Sequence, residues 1–89
     1  MLTPIYLNRF KKELLKIKKR GNDTDKLKTI ISLLLQEKPL PDKHRNHKLQ
    51  GEYKGLWECH IEPDWLLIYE KTKDSIIFVR TGSHSDLFK

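Results

Sequence analysis

The stretch from Trp57 to Thr81 reads WECHIEPDWLLIYEKTKDSIIFVRT, and its residue pattern decides the fold. Apolar and polar residues alternate from Trp57 to Glu62, whereas apolar and aromatic residues dominate from Trp65 to Lys71 and from Ser75 to Thr81. The Pro-Asp and Thr-Lys-Asp sequences between these segments are typical of turns. Three strands with such short connections predict an antiparallel meander.

Two amphipathic helices are predicted before these strands. Apolar residues recur at helical spacing from about residue 7 to 20, and lysines occupy the opposite face. A second apolar stripe follows a possible cap at Asn22 or Asp23 and stops before Pro39. Residues 2–6 predict a brief strand. The sequence therefore predicts an α+β fold in which the helix pair covers one face of a small sheet.

Composition limits what this chain can be. Its 89 residues are enough for one small domain, and a hydrophobic content of 37% argues against disorder. The single cysteine, Cys59, cannot form an internal disulfide, which favours a reducing compartment. Since the chain shows neither a membrane-length apolar run nor a signal-peptide core, we predict a cytoplasmic protein with no membrane partner.

The positive charge is concentrated in the first half of the chain. Residues 1–38 hold ten Lys/Arg against four Asp/Glu, whereas residues 39–89 hold eight of each sign. Such a basic helical face indicates a polyanion or an acidic protein as partner. The alternative is a solvated face that only aids solubility.

The candidate chemistry lies in the neutral half, as three polar clusters. They are His47 in a loop, His60 with Asp64 at a strand end, and Arg80 with His84 near the C-terminus. The meander should bring these groups to one sheet edge, with His60 close to Asp64. A base, an acid and a cation are what RNA cleavage by its own 2′-hydroxyl needs, and no metal-ligand spacing is present.

Each of these residues also has a simpler explanation. A lone histidine is often a structural residue, and an aspartate after a proline is often only a turn former. Trp65, Tyr53 and Phe88 lie near the polar clusters in sequence and are predicted to stack on a splayed base. Phe88 could equally anchor the C-terminal end of the chain on the sheet.

Four sequence blocks in the second half carry a family resemblance. They are His47-Lys-Leu-Gln-Gly51, Tyr53-Lys-Gly55, Cys59-His-Ile-Glu-Pro-Asp-Trp-Leu-Leu-Ile-Tyr69 and Arg80-Thr-Gly-Ser-His-Ser-Asp-Leu-Phe88. In content and spacing these blocks resemble the YafQ branch of the RelE-like toxins. The resemblance implies a single RelE-like domain over residues 1–89, with a small antiparallel β-sheet of three to five strands and two N-terminal helices packed on one face.

The resemblance also implies a function. Such toxins belong to bacterial type II toxin–antitoxin pairs and are ribosome-dependent endoribonucleases that cut messenger RNA in the ribosomal A site. A cognate antitoxin, expected to be acidic and of the ribbon-helix-helix type, would hold the enzyme inactive. No cofactor is implied.

Family roles are carried over to individual positions in this chain. The resemblance places catalytic groups at His47, His60, Asp64 and His84, with Arg80 in charge stabilisation, and substrate-binding aromatics at Trp65 and Phe88. We expect His84 to be the general acid, His60 with Asp64 to form the base side, and His47 with Arg80 to steady phosphate charge. The predicted ribosomal RNA contacts are Lys11, Lys12, Lys18 and Lys19.

Two other functions remain open at this point. A gyrase-inhibiting toxin of the ParE kind would share the fold and the antitoxin, although it has no need for clustered histidines. A non-catalytic RNA- or protein-binding module would keep the basic helix without the chemistry.

Overall fold

A computed structural model describes residues 1–88 of the chain. Two short 3₁₀ turns, Asp42–His44 and Gly51–Tyr53, accompany the regular elements. The regular elements are β1 (Thr3–Tyr6), α1 (Asn8–Lys19), α2 (Thr24–Leu35), β2 (His47–Lys48), β3 (Trp57–Glu62), β4 (Trp65–Lys71), β5 (Ser75–Gly82) and α3 (His84–Leu87).

The five strands form one sheet in the order β1-β5-β4-β3-β2. The antiparallel β3-β4-β5 meander confirms the sequence-based prediction. β1 runs parallel to β5, with Thr3 opposite Ser75, so the sheet is mixed and the predicted antiparallel pairing holds for β2 to β5. β5 follows β1 only after both helices and three other strands, so the pairing joins residues that are far apart in the sequence. The four residues of β1 contain no local pattern that predicts this partner.

The two long helices cover one face of the sheet, as predicted. α1 buries Phe10 and Ile17, and α2 buries Leu27, Ile30 and Leu34 after capping by the Asp23 carboxylate, which accepts the Asp25 N–H. These side chains pack against the buried sheet residues Cys59, Ile61, Trp65, Leu67, Tyr69, Ile76 and Phe78. This helix-covered face holds the main hydrophobic core.

The opposite face of the sheet has a much thinner cover. Leu66 and Ile68 of β4 are fully buried there beneath Leu87 of α3, with half-buried side chains from residues 49–56 beside them. We call this side the thin face. It matters for function because Glu58 and His60 of β3 lie on this side of the sheet.

No helix within residues 1–88 is long and apolar enough to cross a membrane.

Candidate active site

Two histidines on the thin face share one buried carboxylate. β2 pairs with β3 so that His47 lies opposite Glu58, and His60 follows two residues later on the same side of the strand. The Oε1 atom of Glu58 is 3.6 Å from Nε2 of His47 and 3.3 Å from Nε2 of His60. The Glu58 side chain is only 8% exposed, so its carboxyl group is held in place between two imidazoles.

A third histidine completes the cluster from the C-terminal side. His84 is the first residue of α3, and its ring centroid is 5.6 Å from that of His60, with an edge-to-face angle of 61°. Its Nδ1 donates to Oδ1 of Asp64 at 2.7 Å, and its backbone N–H donates to the same oxygen at 2.9 Å. These bonds orient the ring and leave its Nε2 atom for a substrate.

Together these five side chains form a continuous group that runs from His47 through Glu58, His60 and His84 to Asp64. We call it the imidazole row. The sheet register explains the assembly, because Gly82, Leu66 and His60 are aligned across three adjacent strands. The chain turns back after Gly82, which carries His84 over this row of strands to His60.

Backbone contacts fix the proton position on one ring. Nδ1 of His47 is 2.6 Å from the carbonyl oxygen of Arg45. Since a carbonyl oxygen only accepts, Nδ1 carries the proton and Nε2 is directed to Glu58. His44, which the sequence reading leaves as a loop residue, makes a similar 2.6 Å contact with the backbone oxygen of His60 and thereby covers the edge of β3.

The carboxylate pairing differs from the sequence-based expectation. Asp64 orients His84, whereas Glu58 is the carboxylate beside His60, so the expected pair of His60 with Asp64 is replaced by two separate pairs. The two N–H bonds from His84 hold the pKa of Asp64 below its ordinary value. Glu58 was missed as a site residue, although its alternation with His60 already placed both on one strand face.

Arg80 has a different environment from the predicted anion clamp. It is 7% exposed, its Nε and one terminal nitrogen donate to the Glu13 carboxylate of α1, and the other donates to the Tyr53 hydroxyl. The pKa of Arg80 is raised, chiefly by the bonds to Glu13. With every guanidinium nitrogen engaged, Arg80 joins α1 to β5, and a direct phosphate contact does not fit. Glu13 and Arg80 are far apart in the sequence, so no local pattern predicts that they form a pair.

The prediction that Trp65 stacks on a substrate base is also wrong. Trp65 is 1% exposed in the main core, and its indole N–H donates to the Thr81 hydroxyl at 2.9 Å. An irregularity in the β3–β4 pairing between His60 and Glu62 accompanies this inward position. Tyr53 and Phe88 remain accessible neighbours, with ring centroids 5.7 Å apart in an edge-to-face contact. Phe88 is 42% exposed.

The basic face of α1 differs from the imidazole row in charge, and the two belong to different parts of the sequence. α1 carries six Lys/Arg, at positions 9, 11, 12, 16, 18 and 19, against Glu13 alone. Glu13 is taken by Arg80, and none of the six cations forms an ion pair within residues 1–88. The four predicted contact residues, Lys11, Lys12, Lys18 and Lys19, are all exposed. α1 thus presents unneutralised positive charge to solvent.

Within the same described residues, no group of three or more His, Cys, Asp or Glu side chains is arranged to hold a metal ion. The imidazole row is a chain of neighbours in which each ring contacts a carboxylate or another ring. Its geometry suits proton transfer and the binding of a negative group.

Comparison with known proteins identifies the chain's relatives. The family described as "Bacterial toxin of type II toxin-antitoxin system, YafQ" matches residues 2–89. The mRNA interferase toxin YafQ of Escherichia coli K12 is 42% identical over 84 residues, which cover 93% of this chain and 91% of that protein.

Solved structures agree with this result. YafQ in the E. coli DinJ–YafQ complex superposes with a TM-score of 0.93 at 39% identity, with complete coverage of both chains. A metal-bound toxin from Helicobacter pylori superposes with a TM-score of 0.93 at 40% identity, covering 99% of this chain and 100% of that one. The match over nearly the whole sequence, on the same mixed sheet and helices, confirms the resemblance inferred from the four blocks: the chain belongs to the YafQ family of toxins of type II toxin–antitoxin systems.

Proposed function

We propose that this toxin cleaves messenger RNA on the ribosome, with the imidazole row as an acid–base site that needs no metal. Membership in a family that includes the E. coli mRNA interferase supports the endoribonuclease activity. The observation that carries the mechanism is the 5.6 Å separation of the His60 and His84 rings, each beside its own carboxylate. Two such rings can flank one phosphodiester and serve its two proton transfers.

The reaction uses the 2′-hydroxyl of the substrate as nucleophile. His60, with Glu58 behind it, takes the 2′-hydroxyl proton while O2′ attacks phosphorus. The bond from phosphorus to O5′ breaks, and His84, oriented by Asp64, gives a proton to the departing oxygen. The products are a 2′,3′-cyclic phosphate and a free 5′-hydroxyl, so atoms and charges balance without a cofactor.

His47 supplies charge beside the reacting phosphate. His47 and His60 both contact Oε1 of Glu58. A protonated His47 ring therefore places positive charge next to the negative charge that develops on the phosphate. Arg80 contributes indirectly, because its bonds to Glu13 and Tyr53 hold α1 and the Tyr53 loop in place. Phe88 is the exposed aromatic that stacks on a base of the message.

A purified-component assay tests the chemistry. Ribosomes that carry a defined message in Mg²⁺ buffer should yield fragments with 2′,3′-cyclic phosphate ends when the toxin has first been stripped of metal with EDTA and dialysed, whereas the variant with His47, His60 and His84 all changed to alanine should yield none. Cleavage that is lost from the stripped toxin and returns only when a transition metal is added back would contradict the metal-free mechanism. Unchanged toxicity of the triple variant in cells would favour a gyrase-inhibiting or non-catalytic function instead.

The basic face of α1 is the proposed ribosome contact. The site itself lies in the neutral half of the chain, so the ribosome holds the message while α1 docks on ribosomal RNA. Changing Lys11, Lys12, Lys18 and Lys19 together to glutamate should abolish cleavage on ribosomes and leave the circular-dichroism spectrum unchanged.

The control for this experiment reverses four exposed lysines outside α1, at positions 38, 43, 54 and 73. It changes net charge equally and should retain cleavage. Equal loss in both variants would assign the effect to overall charge, and undiminished cleavage after reversal of the α1 lysines would remove the docking proposal.

The proposed regulator is an acidic antitoxin of the ribbon-helix-helix type. The E. coli relative forms a complex with DinJ, and a basic face on α1 favours an acidic binding partner. The neighbouring open reading frame should encode a short acidic protein that co-purifies with this chain and abolishes its cleavage. A neighbouring product that neither binds nor inhibits would contradict this proposal.

A further inference from the structure

The helix that carries His84 is too short to hold its own position. α3 contains four residues, and a single helical turn has little stability without tertiary contacts. Asp64 reaches His84 from the β3–β4 turn, but its side chain is 69% exposed. Additional contacts must therefore fix α3 on the thin face.

Asp86, in the same turn of helix, makes these contacts. Its carboxylate accepts the Ser83 N–H at 2.9 Å while the Ser83 hydroxyl accepts the Asp86 N–H at 3.2 Å, which closes a reciprocal capping box. The same carboxylate forms a two-pronged pair with Arg20, with distances of 2.7 Å to one terminal nitrogen and 3.1 Å to the other. Arg20 is the C-cap residue of α1.

Gly82 provides independent evidence that this contact is tightly built. A Cβ atom at Gly82 would lie 2.9 Å from Cβ of Asp86 and 3.0 Å from its Oδ2. Gly82 has no positive φ that would itself require glycine, so the close approach of Asp86 is the steric reason that a side chain is not accommodated here.

We propose that Arg20 and Asp86 are positioning residues for His84, and we call their pair the α1–α3 latch. The latch rests on the proposed catalytic role of His84. Because the latch holds α3 through the Asp86 carboxylate, it keeps the His84 ring between Asp64 and His60. Because Arg20 ends the basic helix, the latch also couples the α1 surface to the imidazole row.

Two other roles for Arg20 lead to different expectations. A cation that only docks on ribosomal RNA would affect the KM for ribosomes, and removing the opposing charge of Asp86 would leave docking intact or strengthen it. An ordinary exposed ion pair would contribute little to stability and nothing to the rate. If the pair is a latch, changing either Arg20 or Asp86 lowers kcat.

The test compares Arg20→Gln, Asp86→Asn and the double variant in cleavage on programmed ribosomes. Each single change should lower kcat about tenfold with little change in KM, since a misplacement of about 1 Å in an active site can cost up to roughly 100-fold. The double variant should be no worse than either single one, because both remove the same pair. Lys73→Gln removes one exposed positive charge in the β4–β5 turn, outside both α1 and the latch, and should retain the wild-type kcat.

Two further measurements separate positioning from folding. The ¹⁵N signals of the His84 ring, assigned by their absence in His84→Ala, should shift in both single latch variants, while the thermal unfolding midpoint stays close to that of the wild type. Arg20→Lys restores one of the two hydrogen bonds and should recover part of kcat. Gly82→Ala keeps both charges, displaces Asp86 and should lower kcat as the latch variants do.

The outcomes are distinguishable. An unchanged kcat in Asp86→Asn, or a purely KM effect in Arg20→Gln, overturns the latch while a loss of cleavage in His84→Ala leaves the proposed function standing. Wild-type cleavage by His84→Ala overturns the proposed function itself. A kcat loss that tracks only the unfolded fraction, with His84 ring signals unmoved in the folded molecules, also overturns the latch.

Discussion

The two faces of the sheet differ in what they bury. The helix-covered face encloses large apolar side chains such as Trp65, Phe10 and Phe78, whereas the thin face encloses only a few leucine and isoleucine residues under α3. Yet the thin face carries Glu58, His60 and His84. The main core and the proposed chemistry thus lie on opposite sides of the same strands, so a mutation on one side should leave the property of the other side intact.

The largest expected effect is on the rate, from a change on the thin face. His84→Ala should reduce cleavage by about 10²–10⁴-fold, because a positioned acid or base typically contributes that much. The ring is 53% exposed, so the unfolding midpoint should hardly change. Ser85→Ala, at an exposed position in α3, is the matched control and should cleave normally. Joint loss of rate and stability in His84→Ala would break the division between the faces.

The opposite behaviour is expected on the helix-covered face. Trp65→Ala removes a fully buried ring and its hydrogen bond to Thr81, which should cost about 3–5 kcal/mol of unfolding free energy. The half-buried Trp57 is the control, and Trp57→Ala should cost less. Denaturant unfolding measures both values. Cleavage per folded molecule should remain that of the wild type, and a specific loss of kcat in folded Trp65→Ala would give this residue a direct part in catalysis.

Glu58→Gln sharpens the comparison, since it changes charge without changing shape. Loss of a charge-assisted contact worth about 1.5–3 kcal/mol should slow cleavage roughly 10- to 100-fold. Glu62→Gln, on the same strand but paired with Lys26, is the matched control and should retain its rate. Equal rates for the two variants would remove Glu58 from the site.

The smallest effect concerns acid stability. The hydrogen bonds from Arg20 and Ser83 hold the pKa of Asp86 well below its ordinary value of 3.8, and those from His84 lower the pKa of Asp64. A lowered folded-state pKa stabilises the protein above the ordinary value and loses that contribution as the pH falls through the folded-state pKa. As the pH is lowered from about 4, the unfolding temperature should therefore decrease, and it should decrease less steeply in Asp86→Asn than in the wild type. Asp42→Asn serves as the control, and an identical slope for Asp86→Asn would contradict the prediction.

Local patterns predicted most of the secondary structure. β3 and β4 begin and end at the expected residues, and α1 lies within one residue of the expected bounds at each end. These elements have strong periodicity and clear turn residues, and both are local properties. The parallel pairing of β1 with β5 depends on residues far apart along the chain, so no local pattern specifies it.

The candidate site was only partly predictable for the same reason. The histidines were found because their residue type suggests the chemistry and the meander suggests the place. The partners of Arg80 and Asp86 come from α1, and long-range ion pairs of this kind leave no sequence signature. The strand pairing is irregular between His60 and Glu62, next to Trp65. A strict alternation of inward and outward residues does not predict such a shift, so it does not predict that Trp65 is buried.

The parallel pairing of β1 with β5 orders the events of the toxin's own synthesis. Thr3 to Tyr6 leave the ribosome early but have no strand to join until Ser75 to Phe78 have been made. His84 is translated later still, and at about 5–20 residues per second the early segments wait for several seconds. The nascent chain therefore carries an incomplete imidazole row until α3 has been translated.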